Sequence, residues 1–216
     1  MNDLTKLSLY NAGYVELLDS MGGDEAIVRG ARICFQTESD PRYDKGLIKM
    51  LVREEHTSPL EQCTLTYKMK IPLFVRDQLV RHRIGMSYNI KSLRYCEASP
   101  EFFAPFFGDT QLSDTWKKDN EESFDRYMKW KDAFLYLGYK KGRAQELARC
   151  HLPSGIYTEI VLTCNMGSMY HFWKLRLDPH AQQEIRELAV AMLELVKDVA
   201  PTTYQCISDK FALEEN

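Results

Sequence analysis

The chain has 216 residues, 44% hydrophobic, 27% charged and 12% aromatic, which excludes a disordered or fibrous protein. Its 28 lysines and arginines against 31 acids leave a net charge of −3, which argues against a general nucleic-acid coat or an anionic-membrane binder. At this length folding hides roughly 70% of the unfolded surface, so a core is expected without metal or disulfide staples.

In chain order, residues 8–19 read as a strand running into a turn at Met21-Gly22-Gly23. DEAIVRGARICF (24–35) follows with helical spacing and Asp24 near its start. A second helix is expected over 40–56, with Leu47, Met50, Leu51 and Tyr43 on one face. Cys63, Leu65, Tyr67 and Met69 alternate with Thr64, Thr66, Lys68 and Lys70, the period of a half-exposed strand that Pro72 ends. Pro72 suits the first turn of a helix over 73–83, where Gln78 neighbours Arg81 and His82. A long charged helix is expected over 112–139 and a shorter one over 142–150. IYTEIVLTC (156–164) reads as a strand, with a buried helical segment as the alternative. Asp178 as N-cap and Pro179 behind it open a helix to about Ala200, with Ile185, Leu188, Ala189, Met192, Val196 and Val199 facing inward. No repeat or low-complexity linker divides residues 1–216, which read as one α+β domain.

No stretch reaches the ~20 apolar residues of a membrane helix, and the first residues lack a basic segment followed by an apolar one, so a cytoplasmic protein is expected. Six cysteines, at 34, 63, 96, 150, 164 and 206, stand singly and read as reduced thiols in a core.

Charge gathers in one place. Between Asp77 and Glu97 there is no acid, yet Arg81, Arg83, Lys91 and Arg94 fall there. A solvated helix end explains some of this. The segment RHRIGMSYNIKSLRY (81–95) also carries His82, Ser87, Asn89 and Ser92 as hydrogen-bonding groups, and Tyr88 and Tyr95 as flat surfaces for a ring. Arginine forks with hydroxyls suit a monophosphate, and the set as a whole suits a nucleotide rather than an extended nucleic acid. There is no GxGxxG after a strand, no GxxxxGK[ST], no HExxH and no HxE with PCxxC, so dinucleotide folds, triphosphate loops and metal catalysis have no motif behind them. Cys150-His151 are adjacent on a helix and point apart, a poor nucleophile and base.

RHR followed by SxRY resembles the motif region of the flavin-dependent thymidylate synthases, which methylate dUMP without a cysteine nucleophile. GYVELLDSMGGDEAIVRGARICF, HTSPLEQ, LARCHLP and CNMGSMYHFWKLRLDPHAQ follow in the family's order. No cysteine here follows a proline, unlike the nucleophile of the ordinary enzymes. The resemblance implies a central, mostly antiparallel sheet flanked by helices, and a homotetramer whose sites are shared between subunits. It places dUMP among Gln78, Arg81, Ser92, Leu93, Arg94, Arg149 and Arg176. Arg176 is implied to be catalytic, by stabilising the N3 anion of the uracil, with a surface ion pair as its structural alternative.

FAD is implied to lie against His56, Ser58, Glu61, Arg81, His82, Arg83, Asn165 and His171, with NADPH and 5,10-methylenetetrahydrofolate as co-substrates. Ser58-Pro59-Leu60-Glu61 also spells a capping box, and His56 also suits a helix C-terminus. The chain departs from the family's pattern at several positions. Ile84 to Lys91 make eight residues before Ser92 where seven are usual, an insertion that Gly85 is suited to absorb. Ile90 stands where many members have Glu, Gly167 replaces a common Arg, His171 a common Asn, and Cys34 a common Ser. The alternatives are a C5-methylase or hydroxymethylase acting on UMP or dCMP, and a non-catalytic nucleotide-binding descendant.

Overall fold

A computed structural model describes residues 5–33, 40–105 and 108–211. The chain folds as α+β, around a five-stranded sheet of order β1-β2-β3-β5-β4 in which every neighbouring pair is antiparallel. The strands are β1 (Lys6–Leu9), β2 (Gly13–Met21), β3 (Thr64–Pro72), β4 (Met86–Ile90) and β5 (Tyr157–Asn165). The helices are α1 (Asp24–Arg32), α2 (Pro41–Arg53), α3 (Leu73–Leu79), α4 (Thr110–Tyr136), α5 (Lys141–Ala148), α6 (Met166–Arg176), α7 (Gln183–Glu194) and α8 (Pro201–Lys210). No helix among the described residues is long and apolar enough to cross a membrane.

The alternation in β3 does what its period requires: Leu65, Tyr67, Met69 and Ile71 are all fully buried, opposite Cys164, Leu162, Ile160 and Thr158 of β5. Phe172 and Trp173 of α6 and Leu188 and Met192 of α7 join the same core. Its polar atoms are satisfied, since the Tyr67 hydroxyl donates to the Met192 carbonyl at 3.0 Å and the Trp173 indole to the Ala189 carbonyl at 3.1 Å. A second, smaller core under α4 and α5 gathers Ala98, Tyr127, Ala148 and Ile156.

Several boundaries differ from the expected ones. The strand expected over 8–19 is a hairpin, because the chain turns at residues 10–12 with Tyr10 at φ 55°. Helix α2 stops at Arg53 and buries Ile48, Leu51 and Val52, while Tyr43 is exposed. The helix expected over 73–83 ends at Leu79. Asp178 does not cap a helix: its carboxylate accepts the His180 amide at 2.8 Å in a turn, and α7 begins at Gln183. The run at 156–164 is a strand, paired on both edges. Cys63 and Cys164 are core thiols, Cys96 and Cys150 are exposed, and Cys34 lies outside the described residues.

Candidate active site

Helices α3 and α6 end side by side, and the chain after α3 is held there by Tyr88. The Tyr88 hydroxyl lies 2.7 Å from the His82 carbonyl and 3.0 Å from that of Leu79, which share its one proton. Tyr88, expected to stack on a ligand ring, is instead a strut between β4 and the RHR turn. Arg176, at the end of α6, reaches across. Its Nε donates to Nε2 of His82 at 3.0 Å and its Nη2 to the Gln78 carbonyl at 3.3 Å. His82 packs edge-on against Phe172, with ring centroids 5.0 Å apart. Burial first, and then the Arg176 charge, push His82 down to about 4, so the ring is neutral at pH 7. Among the described residues no carboxylate pairs with Arg176, so the surface ion pair does not form. The structure thus brings Gln78, His82 and Arg176 together around a partly buried cation without a counter-ion.

Of the remaining nucleotide candidates, Arg94 reaches α5 and Arg149 follows that helix. The Ser92 hydroxyl accepts the Arg94 amide at 3.3 Å and its carbonyl accepts the Cys96 amide at 2.9 Å, which closes a tight turn. Leu93 packs into the second core. Arg94 pairs through Nε with Glu146, which also accepts from Arg143 at 3.0 Å, while half of the Arg94 side chain stays exposed. Arg149 follows α5 in a short 3₁₀ turn and is exposed without a carboxylate partner among the described residues.

Of the flavin candidates, Glu61 and Asn165 lie at the start of α6, His171 in its middle and His82 by its end. Ser58–Gln62 is a 3₁₀ turn whose N-cap is Thr57, with no side-chain cap bond, so the capping box does not form. Asn165 caps α6 instead, its Oδ1 accepting the Ser168 amide at 2.8 Å. Two glycines let the three segments meet. Gly85 has φ +64°, and a Cβ there would lie 2.1 Å from Ser168 Oγ and 2.9 Å from Asn165 Nδ2. A Cβ on Gly167 would lie 2.9 Å from Glu61 Cγ and 3.0 Å from the Thr57 carbonyl oxygen, which leaves no room for the arginine common at that place. His56 and His171 are exposed, as are Arg81 and Arg83, neither of which pairs with a carboxylate among the described residues. The guanidiniums of Arg81 and Arg83, the Ser58 hydroxyl and the Asn165 amide nitrogen, which has no hydrogen-bond partner among the described residues, are donors of the kind a diphosphate-bearing cofactor takes.

The protein-family model described as thymidylate synthase complementing protein matches residues 16–202. The chain is 37% identical to the flavin-dependent thymidylate synthase of Thermotoga neapolitana over 209 residues, which cover 93% of each protein. It is 34% identical to the enzyme of that name from Treponema denticola, covering 91% of this chain and 79% of the other. This chain belongs to the flavin-dependent thymidylate synthases. A solved structure of similar fold is a UMP/dUMP methylase, PolB, from Streptomyces cacaoi bound with 5-Br dUMP, at TM-score 0.81 and 28% identity over 94% of this chain and 97% of that one. The same methylase with 5-Br UMP gives a TM-score of 0.77. For a flavin-dependent thymidylate synthase, the sequence motifs lead to Gln78, His82 and Arg176, but they do not disclose Glu146, Gln182 or the capping role of Asn165. Glu146 and Gln182 depend on partners distant in the chain, whereas the Asn165 cap is local and is signalled by Asn165 standing before an apolar run.

Proposed function

We propose that this protein converts dUMP to dTMP, taking a one-carbon unit from 5,10-methylenetetrahydrofolate. FAD reduced by NADPH supplies the hydride that completes the methyl group. The observation that carries this reading is Arg176: a partly buried guanidinium with neutral partners, oriented by His82 and the Gln78 carbonyl. Such a cation stabilises negative charge as it develops on a pyrimidine edge, an effect worth ~3–4 kcal/mol in a preorganised site. Arg94, Arg149 and Ser92 bind the phosphate, with Arg81 beside them. Arg81, Arg83, Ser58, Glu61, His56, His82, Asn165 and His171 hold FAD.

The nucleotide candidates fall into two groups on this chain, one around Arg176 and one around Arg94, which supports a homotetramer in which two copies complete each site. The protein acts as a single domain over residues 1–216, in the cytoplasm. A second reading, methylation of UMP, is favoured by the likeness to a methylase named for both nucleotides. Purified protein should be yellow and release tritium from [5-³H]dUMP, dependent on NADPH and methylenetetrahydrofolate. Faster release from [5-³H]UMP would move the acceptor to the ribonucleotide, and a colourless protein that takes up no FAD would defeat both.

A further inference from the structure

Gln78 heads a short run of side-chain amides that ends on a carboxylate. Its Nε2 donates to Oε1 of Gln182 at 2.6 Å, and Nε2 of Gln182 donates to Oε2 of Glu184 at 2.8 Å. Gln182 is the N-cap residue of α7 and Glu184 lies in its first turn. That turn is anchored from below, since Ile185 and Leu188 are fully buried and the Tyr10 hydroxyl donates to the Glu184 carbonyl. Gln78 itself sits in the last turn of α3, whose Val75 and Leu79 are fully buried.

An amide is nearly symmetric in shape, so on its own it turns either end toward a neighbour. A carboxylate only accepts, and this breaks the symmetry. Glu184 obliges Gln182 to offer it the NH₂ group, which leaves the Gln182 oxygen facing Gln78. That oxygen in turn obliges Gln78 to offer its own NH₂. With its NH₂ group turned to Gln182, Gln78 leaves its carbonyl oxygen unpaired for a ligand, while the second N–H of that group stays beside the relay. The polarity at residue 78 is thereby set two hydrogen bonds away, by the charge at residue 184, immediately beside the Arg176 guanidinium, whose Nη2 donates to the Gln78 backbone carbonyl.

We propose that Gln182 and Glu184 are positioning residues that fix Gln78 as a hydrogen-bond acceptor, so that the site selects a nucleotide presenting an N–H or O–H donor to it. This rests on the nucleotide reading above. In dUMP that donor is either the 3′-hydroxyl or the imide N3–H. Both relay bonds lie at the surface. Water competes with them until a nucleotide covers them, so their orienting effect is felt in the bound state.

The test is calorimetric titration of dUMP, 3-N-methyl-dUMP and 2′,3′-dideoxyuridine monophosphate into the full-length protein and into Gln182→Met and Glu184→Lys. Methionine breaks the relay, and lysine, which only donates, reverses its polarity. The unaltered protein should bind one of the two analogues about tenfold or more weaker than dUMP, because that analogue leaves the Gln78 oxygen unpaired, and which analogue it is names the donor. The ratio should fall to about threefold in Gln182→Met and to about one in Glu184→Lys, whose relay shows the Gln78 NH₂ outward. Bulk added by the N-methyl group alone would give the same ratio in all three proteins. Equal ratios throughout, or an unaltered protein that binds both analogues as tightly as dUMP, overturn the relay and leave the dUMP reading standing. An unaltered protein that binds no dUMP overturns both.

Discussion

Arg176 and His82 meet nitrogen to nitrogen, the arginine Nε–H directed at Nε2 of the ring across 3.0 Å. The ring accepts that bond only if Nε2 carries no proton, so its single proton resides on Nδ1. The contact therefore pairs a permanent cation with an imidazole that must stay neutral, and the arginine also reaches the Gln78 backbone carbonyl.

His82 is pushed from its ordinary 6.5 down to about 4, by burial and then by Arg176. Between those values the unfolded chain takes up a proton that the native ring refuses, so stability falls as the pH drops from about 6.5 to about 4. His82→Gln keeps an oxygen for the Arg176 Nε but does not titrate. Melting temperature plotted against pH should be flatter for this variant over that window. An identical slope would remove His82 as its source.

Arg176→Lys replaces a fork, two of whose arms are fixed by His82 and Gln78, with a mobile point charge. Turnover should fall by roughly 10²–10³ while dUMP affinity falls much less, since orientation matters most where charge develops. Steady-state kinetics beside a direct dUMP titration separates the two. Matching losses would make Arg176 a binding residue and nothing more.

Gly85 lies in the loop after Arg81-His82-Arg83 and presses on the cap of α6. Gly85→Ala should cost about 1–3 kcal/mol, from a strained φ and from displacing the Ser168 hydroxyl and the Asn165 amide. Adding Ser168→Ala removes the nearer obstacle and should return part of that loss in a denaturant melt. A double variant no more stable than the single one would place the whole cost in the backbone.

Gly167 and Gly46 are both helical, yet they should respond in opposite directions. A Cβ at Gly167 meets Glu61 Cγ and the Thr57 carbonyl, so Gly167→Ala should destabilise by about 1–3 kcal/mol. A Cβ at Gly46, in the middle of α2, meets nothing within 4 Å, so Gly46→Ala should stabilise by about 0.5–1 kcal/mol. Thermal melts of the two variants check the contrast, which disappears if the start of α6 yields freely.

The elements without a clear local pattern have separate physical causes. Helix α6 carries Met166, Met169, Tyr170, Phe172 and Trp173 all buried, so only a narrow polar line of Ser168, His171 and Lys174 marks its helical period. Strand β4 is the opposite case, with Ser87, Asn89 and Ile90 exposed, and it becomes a strand because β5 offers it a free edge. The patterns at 40–56 and 73–83 run past the ends of α2 and α3 because polar residues continue them without a glycine stop.

By itself the sequence determined the α+β class, the inward face of β3 and the cation-rich segment proposed to hold a nucleotide. These are set by residue type at short spacing, where periodicity and charge act locally. Only the tertiary structure decided that Arg176 meets His82, 94 positions away, and that Gln78 meets Gln182, 104 positions away. Those contacts depend on how α6 and α7 pack against the sheet, a matter of register and burial summed over the whole core, which no local pattern encodes.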